Sequence, residues 1–441
     1  MTAAHEMQRR LRSVDPVLRS GRVRKIMSSA IEADGPNVPL GTLCEVQSRG
    51  GSSWLGAEVV HVDRDNVILS PFEESSATFS GAAVRASARA DLVPVGAALL
   101  GRAVDALARP CDGAGQMTAG EFAPLHDPMP SPLERVSPRE VLETGVRAID
   151  GLLTLGIGQR VGIFAASGVG KTSLVTQLAQ QVEADIIVIA LIGERGREVE
   201  AIWNGTFSGA RRDKAVLVAA TSDQSAAMRV RAAYLALAQA HYWRGRGRKV
   251  LLLLDSVTRL AMALREIGLA AGEPPTVRAY TPNVFAVIPK IVEGCGALKH
   301  GGAVTAIMTV LSETDDVDDP VCEMMKSLLD GHIVLSRSLA EQGHFPAIDV
   351  CKSVSRQSWD LTGESHRLHA LQILEWLSLQ QSARTLLDTG LYVKGANPKI
   401  DRAVDLHPAI MRFLRQGRDE RSVFSKTLSL VSSLNEGRGH A

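Results

Sequence analysis

Residues 161–173 read Val161-Gly162-Ile163-Phe164-Ala165-Ala166-Ser167-Gly168-Val169-Gly170-Lys171-Thr172-Ser173. An apolar, strand-like run is followed by two glycines, a lysine and a threonine, and a helix-forming stretch begins at Ser173. A strand that turns through glycines into a helix aims several backbone N–H groups at one point, and the helix dipole adds positive potential there. The pattern is the phosphate loop G-x-x-x-x-G-K-[ST], with Ala165 in the first glycine position. Ala165, Ala166, Ser167, Gly168, Val169, Gly170, Lys171, Thr172 and Ser173 are the candidate nucleotide-binding set. Lys171 is spaced to reach the β- and γ-phosphates, and the Thr172 hydroxyl to ligate Mg²⁺.

Outward from the loop, buried-strand runs at 161–165, 186–191, 215–219, 250–254, 303–310 and 332–335 alternate with amphipathic segments. That alternation predicts a mostly parallel sheet with helices on both faces. Ligands in such sheets sit at the carboxyl ends of strands. The run 250–254 ends in Asp255, placed to hold Mg²⁺ directly or through a water; the competing reading is an ordinary aspartate capping the next helix. The run 186–191 leads into Ile192-Gly193-Glu194-Arg195-Gly196-Arg197-Glu198. Glu194 is placed to orient a water for attack on a γ-phosphate. Glu198 is the rival carboxylate, and a surface ion pair is the plain alternative for Glu194.

The flanks differ in kind. Residues 20–95 carry short apolar runs separated by turn signals and predict a small β-barrel or sandwich. Residues 96–150 are rich in Gly and Pro and read as a wrapping connector. From 361 the chain reads as helical, with helix-period positions over 366–388 and 400–415. The expected fold is thus an α/β P-loop (RecA-like) domain over 96–360, a β-barrel over 20–95 and a helical domain over 361–441. Residues 1–19 are basic and carry one apolar stripe, Met7, Leu11, Val14 and Leu18. The stripe suits a helix packed on its own domain, one that docks a partner or, third, one that meets lipid or nucleic acid. Asp315, Asp316, Asp318 and Asp319 read as a solvated acidic loop rather than a metal loop.

Composition narrows the function. The chain has 441 residues, a net charge of +1 and only 4% aromatic residues, which argues against charge-driven nucleic-acid binding on stacking platforms. Five scattered cysteines with no C-x-x-C spacing point to a reducing compartment without disulfides or a zinc site. The start lacks the apolar core of a secretory signal, and no apolar run approaches the ~20 residues needed to span a bilayer. The expectation is a cytoplasmic protein.

These stretches, together with LLLLDSVTRLAMALREIGLAAGEPPTVRAYTPNVFAVIPK and LLDGHIVLSRSLAEQGHFPAIDVCKSVSR, give the chain its family likeness. It resembles the type III secretion ATPases, both flagellar export ATPases and their injectisome counterparts, which are relatives of rotary ATP synthase catalytic subunits. The resemblance implies hydrolysis of ATP with Mg²⁺ to drive protein export, and leans to the flagellar branch. It assigns Glu194 to water activation, Arg195 to its phosphate-side neighbour, Asp255 to the Mg²⁺ strand and Arg259 to the arginine after it. Arg356 matches the finger given to the neighbouring subunit's site, and Phe345 the ring near adenine. By themselves, Phe345 would read as core and Arg356 as a surface ion pair. The implied partners are a homohexamer, a stator-like regulator at the N-terminal region, export chaperones and substrates, and a secretion apparatus with which the protein associates peripherally at the inner membrane. A rotary synthase catalytic subunit, a ring RNA translocase and a non-catalytic nucleotide-binding subunit are the alternatives. The stretch Trp203-Asn204-Gly205-Thr206-Phe207-Ser208-Gly209 departs from the more acidic one expected there.

Overall fold

The computed structural model describes residues 19–435, apart from 51–52, 65, 74, 88–91, 118–119 and 312–318. The stripe Met7 to Leu18 and Asp315, Asp316 and Asp318 lie outside the described residues. Asp319 is described: its carboxylate accepts from Val321 N at 2.8 Å and Cys322 N at 3.1 Å and caps the helix Pro320–Leu328. The chain divides into two compact units. One holds the chain to residue 92 with 223–230 and 262–284, and the other holds 93–222, 231–261 and 285–441.

In the first unit six strands close into a barrel, from Ser20–Ile26 through Ala83–Ala86. Strand alternation builds it. Along Trp54–Val62, Leu55, Ala57 and Val59 turn inward while their neighbours do not. They meet Val46, Leu69 and Val84 in a small separate core.

The second unit is built on a large sheet, and its central strands are parallel. From one edge the order is Val354–Ser355, Gly331–Val334, Arg160–Ala165, Ala303–Leu311, Lys249–Asp255, Ile186–Ile192, Ala215–Ala220 and Arg102–Val104. All residues of Ile186–Ile192 and Ala215–Ala220 are buried, as strands covered on both faces require. The Gly/Pro-rich connector is more than a wrap, because its Arg102–Val104 pairs with Ala215–Ala220 as the far edge strand. Trp203 and Phe207, in the stretch that departs from the family pattern, are buried in the core.

Three helices, Glu364–Asp388, Pro398–Leu414 and Phe424–Asn435, follow the sheet. The second starts cleanly, because the Asn397 side chain accepts from Lys399 N at 3.0 Å and Pro398 occupies the first turn. Ile373, Trp376, Ile410, Phe413 and Val431 join one core with Leu174, Val175 and Leu178 of the phosphate-loop helix Lys171–Gln181. All five cysteines are free thiols. Among the described residues no helix is long and apolar enough to cross a membrane.

Leu178 is fully buried in that joint core. Leu178→Ala should lose about 2–5 kcal/mol of stability. Urea unfolding followed by circular dichroism checks this, and an unchanged midpoint would show that the site collapses without cost.

Candidate active site

The phosphate loop leaves the strand Arg160–Ala165 and enters its helix through two left-handed glycines, Gly168 at φ +82° and Gly170 at φ +94°. A side chain would be strained at both positions. Ala165 needs no such freedom, since it is still strand, paired in register with Leu311. That explains why alanine serves where the consensus has glycine. Val169 turns into the core, whereas Ser167, Gly168, Thr172 and Ser173 face solvent around the loop.

The carboxyl ends of the parallel strands bring the charged residues together. Lys171 is buried and bonds Asp255 Oδ1, and its Nζ lies 3.6 Å from Glu194 Oε1. Asp255 and Glu194 are only 2% and 4% exposed, so little water screens the cluster. Arg259 Nε donates to Glu194 Oε1 at 3.1 Å. Asp255 belongs to this buried cluster through its bond with Lys171. Burial first, and then the charge of Asp255, push the Glu194 carboxyl up to about 7, while Lys171 opposes the rise.

Two participants were not read from the sequence. Thr309 Oγ1 donates to Asp255 Oδ1 at 2.6 Å from the strand Ala303–Leu311, which lies between Arg160–Ala165 and Lys249–Asp255. A hydroxyl residue near the carboxyl end of a mostly apolar strand is the signal that could have found it. Gly193, at φ +71°, is the second. A Cβ there would meet the Arg259 side chain at 2.9 Å, so only glycine lets Arg259 lie against the backbone before Glu194. Ser222 N also donates to the Glu194 carbonyl at 3.1 Å.

Phe345 lies over the loop, with its ring 3.4 Å from where a Gly170 Cβ would stand. It is 44% exposed rather than core. Its carbonyl accepts Gln416 N at 2.8 Å, while the Gln416 side chain donates to Gly145 O at 2.7 Å. Arg195 is exposed at the start of the helix Gly196–Thr206 and joins no part of the cluster through a hydrogen bond. Arg356 stands apart. It follows the antiparallel edge strand Val354–Ser355, and its N–H donates to Asp330 O at 2.9 Å. Register puts Gly331 beside Val161, so Arg356 is level with the start of the phosphate-loop strand, whereas the loop leaves the other end.

The donors near the loop suit Mg²⁺. Asp255 and Thr172 offer oxygen only, and Mg²⁺ characteristically takes one or two protein oxygens with phosphates and water. Among the described residues no group of three or more His, Cys, Asp or Glu forms an all-protein cage.

Comparison with known proteins agrees with this geometry. Residues 145–355 match the nucleotide-binding domain of the ATP synthase alpha/beta family, and residues 362–432 match the C-terminal domain of the type III secretion ATPase EscN. The flagellum-specific ATP synthase of Bacillus subtilis is 42% identical over 95% of this chain and 96% of its own. The chain belongs to the flagellar and type III secretion ATPase family. A second member of that family, the type 3 secretion system ATPase of Xanthomonas euvesicatoria, is 41% identical over 98% of this chain and 97% of its own. The assembled ATPase EscN of the enteropathogenic E. coli secretion system superposes with a TM-score of 0.89 at 39% identity, over 94% of this chain and 99% of that one. The protein is accordingly a P-loop ATPase of type III export. Flagellar and secretion-system members resemble it equally, and a rotary ATP synthase subunit is only a distant relative.

The raised Glu194 pKa has a consequence for stability. Between its ordinary value of 4.5 and about 7, the folded protein keeps a proton that the unfolded chain has released. Stability therefore falls as pH rises through that window. Glu194→Gln removes the effect. The nucleotide-free variant should gain Tm over the parent at pH 8 and lose that advantage toward pH 4.5. Equal differences at both pH values would contradict it.

Proposed function

We propose that this chain hydrolyses Mg²⁺-ATP at sites completed by a neighbouring copy, and that the work drives release and unfolding of chaperone-bound substrates in type III export. The observation that carries the reading is the buried cluster of Lys171, Asp255 and Glu194 beside the phosphate loop, with half-buried Arg259 against Glu194. The Lys171 ammonium, between two buried carboxylates, is poised for exchange. When the phosphates arrive, Lys171 turns to the β- and γ-oxygens, and the backbone N–H groups of residues 166–171 take the remaining charge. Asp255 and Thr172 are the residues that would hold Mg²⁺, which when bound neutralises charge on the β- and γ-phosphates. Thr309 keeps the Asp255 carboxylate oriented.

Glu194 then polarises the attacking water, and the products are ADP and phosphate. A carboxylate with a raised pKa is a better proton acceptor than an ordinary one. Arg259 holds its orientation, and Arg195, exposed at the helix start, serves the phosphate side. Phe345 offers an apolar face to the adenine.

Arg356 is the finger. Its position at the other end of the strand from its own loop supports service to a neighbour. A planar guanidinium suits charge spread over γ-phosphate oxygens. We take the assembly to be a homohexamer, with the barrel as its collar and residues 1–19 as the region for a stator-like regulator. The EscN structure solved with its central stalk EscO, TM-score 0.85 at 38% identity over 94% of this chain and 99% of that one, supports a stalk partner here as well. Residence is cytoplasmic, with peripheral attachment to the inner membrane through the export apparatus.

Mg²⁺-ATP hydrolysis against protein concentration, with mass photometry alongside, is the direct test. Specific activity should rise as hexamers form. Glu194→Gln should retain nucleotide binding and lose about 10²–10⁴-fold in turnover. Arg356→Ala should bind ATP as a monomer yet gain no rate on assembly. A flat activity profile in the parent, or full turnover in the Glu194 variant, would defeat the scheme.

A further inference from the structure

We propose that the Arg160–Asp330 ion pair is the mount of the Arg356 finger, a positioning device for the neighbouring subunit's reaction rather than for its own. The inference rests on the intersubunit reading of Arg356 given above.

The pair is unusually complete. Arg160 Nε and its backbone N–H both donate to Asp330 Oδ2, at 3.0 and 2.9 Å, and Nη2 donates to Oδ1 at 2.9 Å. Asp330 N returns a bond to Arg160 O at 2.9 Å. The remaining arm, Nη1, reaches Glu293 Oε1 at 2.7 Å. Both partners are largely shielded, with side chains 19% and 17% exposed. A rigid fork on a carboxylate fixes direction as well as distance.

What the pair fixes is the carbonyl of Asp330. That oxygen accepts Arg356 N at 2.9 Å. One residue earlier, Ser355 Oγ donates to Thr154 O at 2.9 Å. The backbone leading into the finger's Cα is therefore pinned, while among the described residues the guanidinium itself is held by one hydrogen bond, Nη2 on Lys326 O at 3.1 Å. The arrangement is a firm base with a movable, exposed tip. Such a tip is worth its rate only if its origin is placed correctly, since a misplacement of about 1 Å costs on the order of 10²-fold.

A competing use of the pair is to brace its own phosphate loop, since Arg160 begins that strand. The two uses differ in which subunit's site suffers. Asp330→Asn and, as a milder change that keeps the charge, Arg160→Lys should each lower kcat about tenfold or more. KM for ATP should stay within about twofold, and hexamers should form normally by mass photometry. Undiminished kcat in both variants overturns the proposal.

Mixed rings then separate the cases. Asp330→Asn subunits keep Glu194, and Glu194→Gln subunits keep an intact mount and finger. Co-assembly of these two impaired variants should raise hydrolysis well above that of either alone, as should Arg356→Ala with Glu194→Gln. If only the Arg356 mixture recovers, the pair serves its own subunit and the mount is wrong while the finger stands. If neither recovers, the intersubunit finger itself fails and takes the mount with it.

Discussion

A single ammonium held between two buried carboxylates organises this protein. Lys171 comes from the helix after the phosphate loop, Asp255 from one strand end and Glu194 from beyond another. Burying an ammonium with two carboxylates, one of them pushed up to about 7, is costly unless each group has a close partner. The sheet must therefore keep these strand ends in fixed register, with the strand Ala303–Leu311 between Arg160–Ala165 and Lys249–Asp255 supplying Thr309 as a further bond. The parallel sheet, its covered faces and the left-handed glycines are the means by which that register is held.

The cluster also explains why the strand ends face one way. Nucleotide phosphates and the charged side chains that meet them gather at the carboxyl edge, where loops can be reshaped without disturbing the ladder. The opposite edge is left for a different duty. Arg356 and the Arg160–Asp330 ion pair sit there, so one strand, Arg160–Ala165, presents its own loop at one end and, in our proposal, the finger's support at the other.

Much of this was legible in the residues, and for definite reasons. Gly168, Gly170, Lys171 and Thr172 can be read because the phosphate loop depends on neighbours in sequence. The six central parallel strands from Arg160–Ala165 to Gly331–Val334 were legible as apolar runs, whereas the short antiparallel strands Gly296–Leu298 and Val354–Ser355 were not; Asp255 was legible as the acid ending one run and Glu194 as an acid just beyond another. Strand order was not, because a strand buried on both faces carries no period that names its neighbour. Thr309 was missed for that reason, since its partner lies 54 positions away. Arg102–Val104 was hidden inside a Gly/Pro-rich segment whose composition masks an edge strand. The stretch holding Trp203 and Phe207 read as a departure from an expected acidic one, and both rings are core packing. Phe345 would have been placed in the core on hydropathy alone, yet its ring stands half in solvent over Gly170.

The helices after the sheet share one core with the phosphate-loop helix, and Gln416 ties their end to Phe345 and Gly145. The chain therefore has a seam where none of its sequence punctuation suggests trouble. Cutting at 361 to isolate a minimal hydrolase would strip the apolar cover from Leu174, Val175 and Leu178 and release the backbone behind Phe345. A chimera that keeps this core should confine its exchanges to exposed helix positions such as Leu368 and Leu371, leaving Ile373, Trp376 and Phe413 as they are.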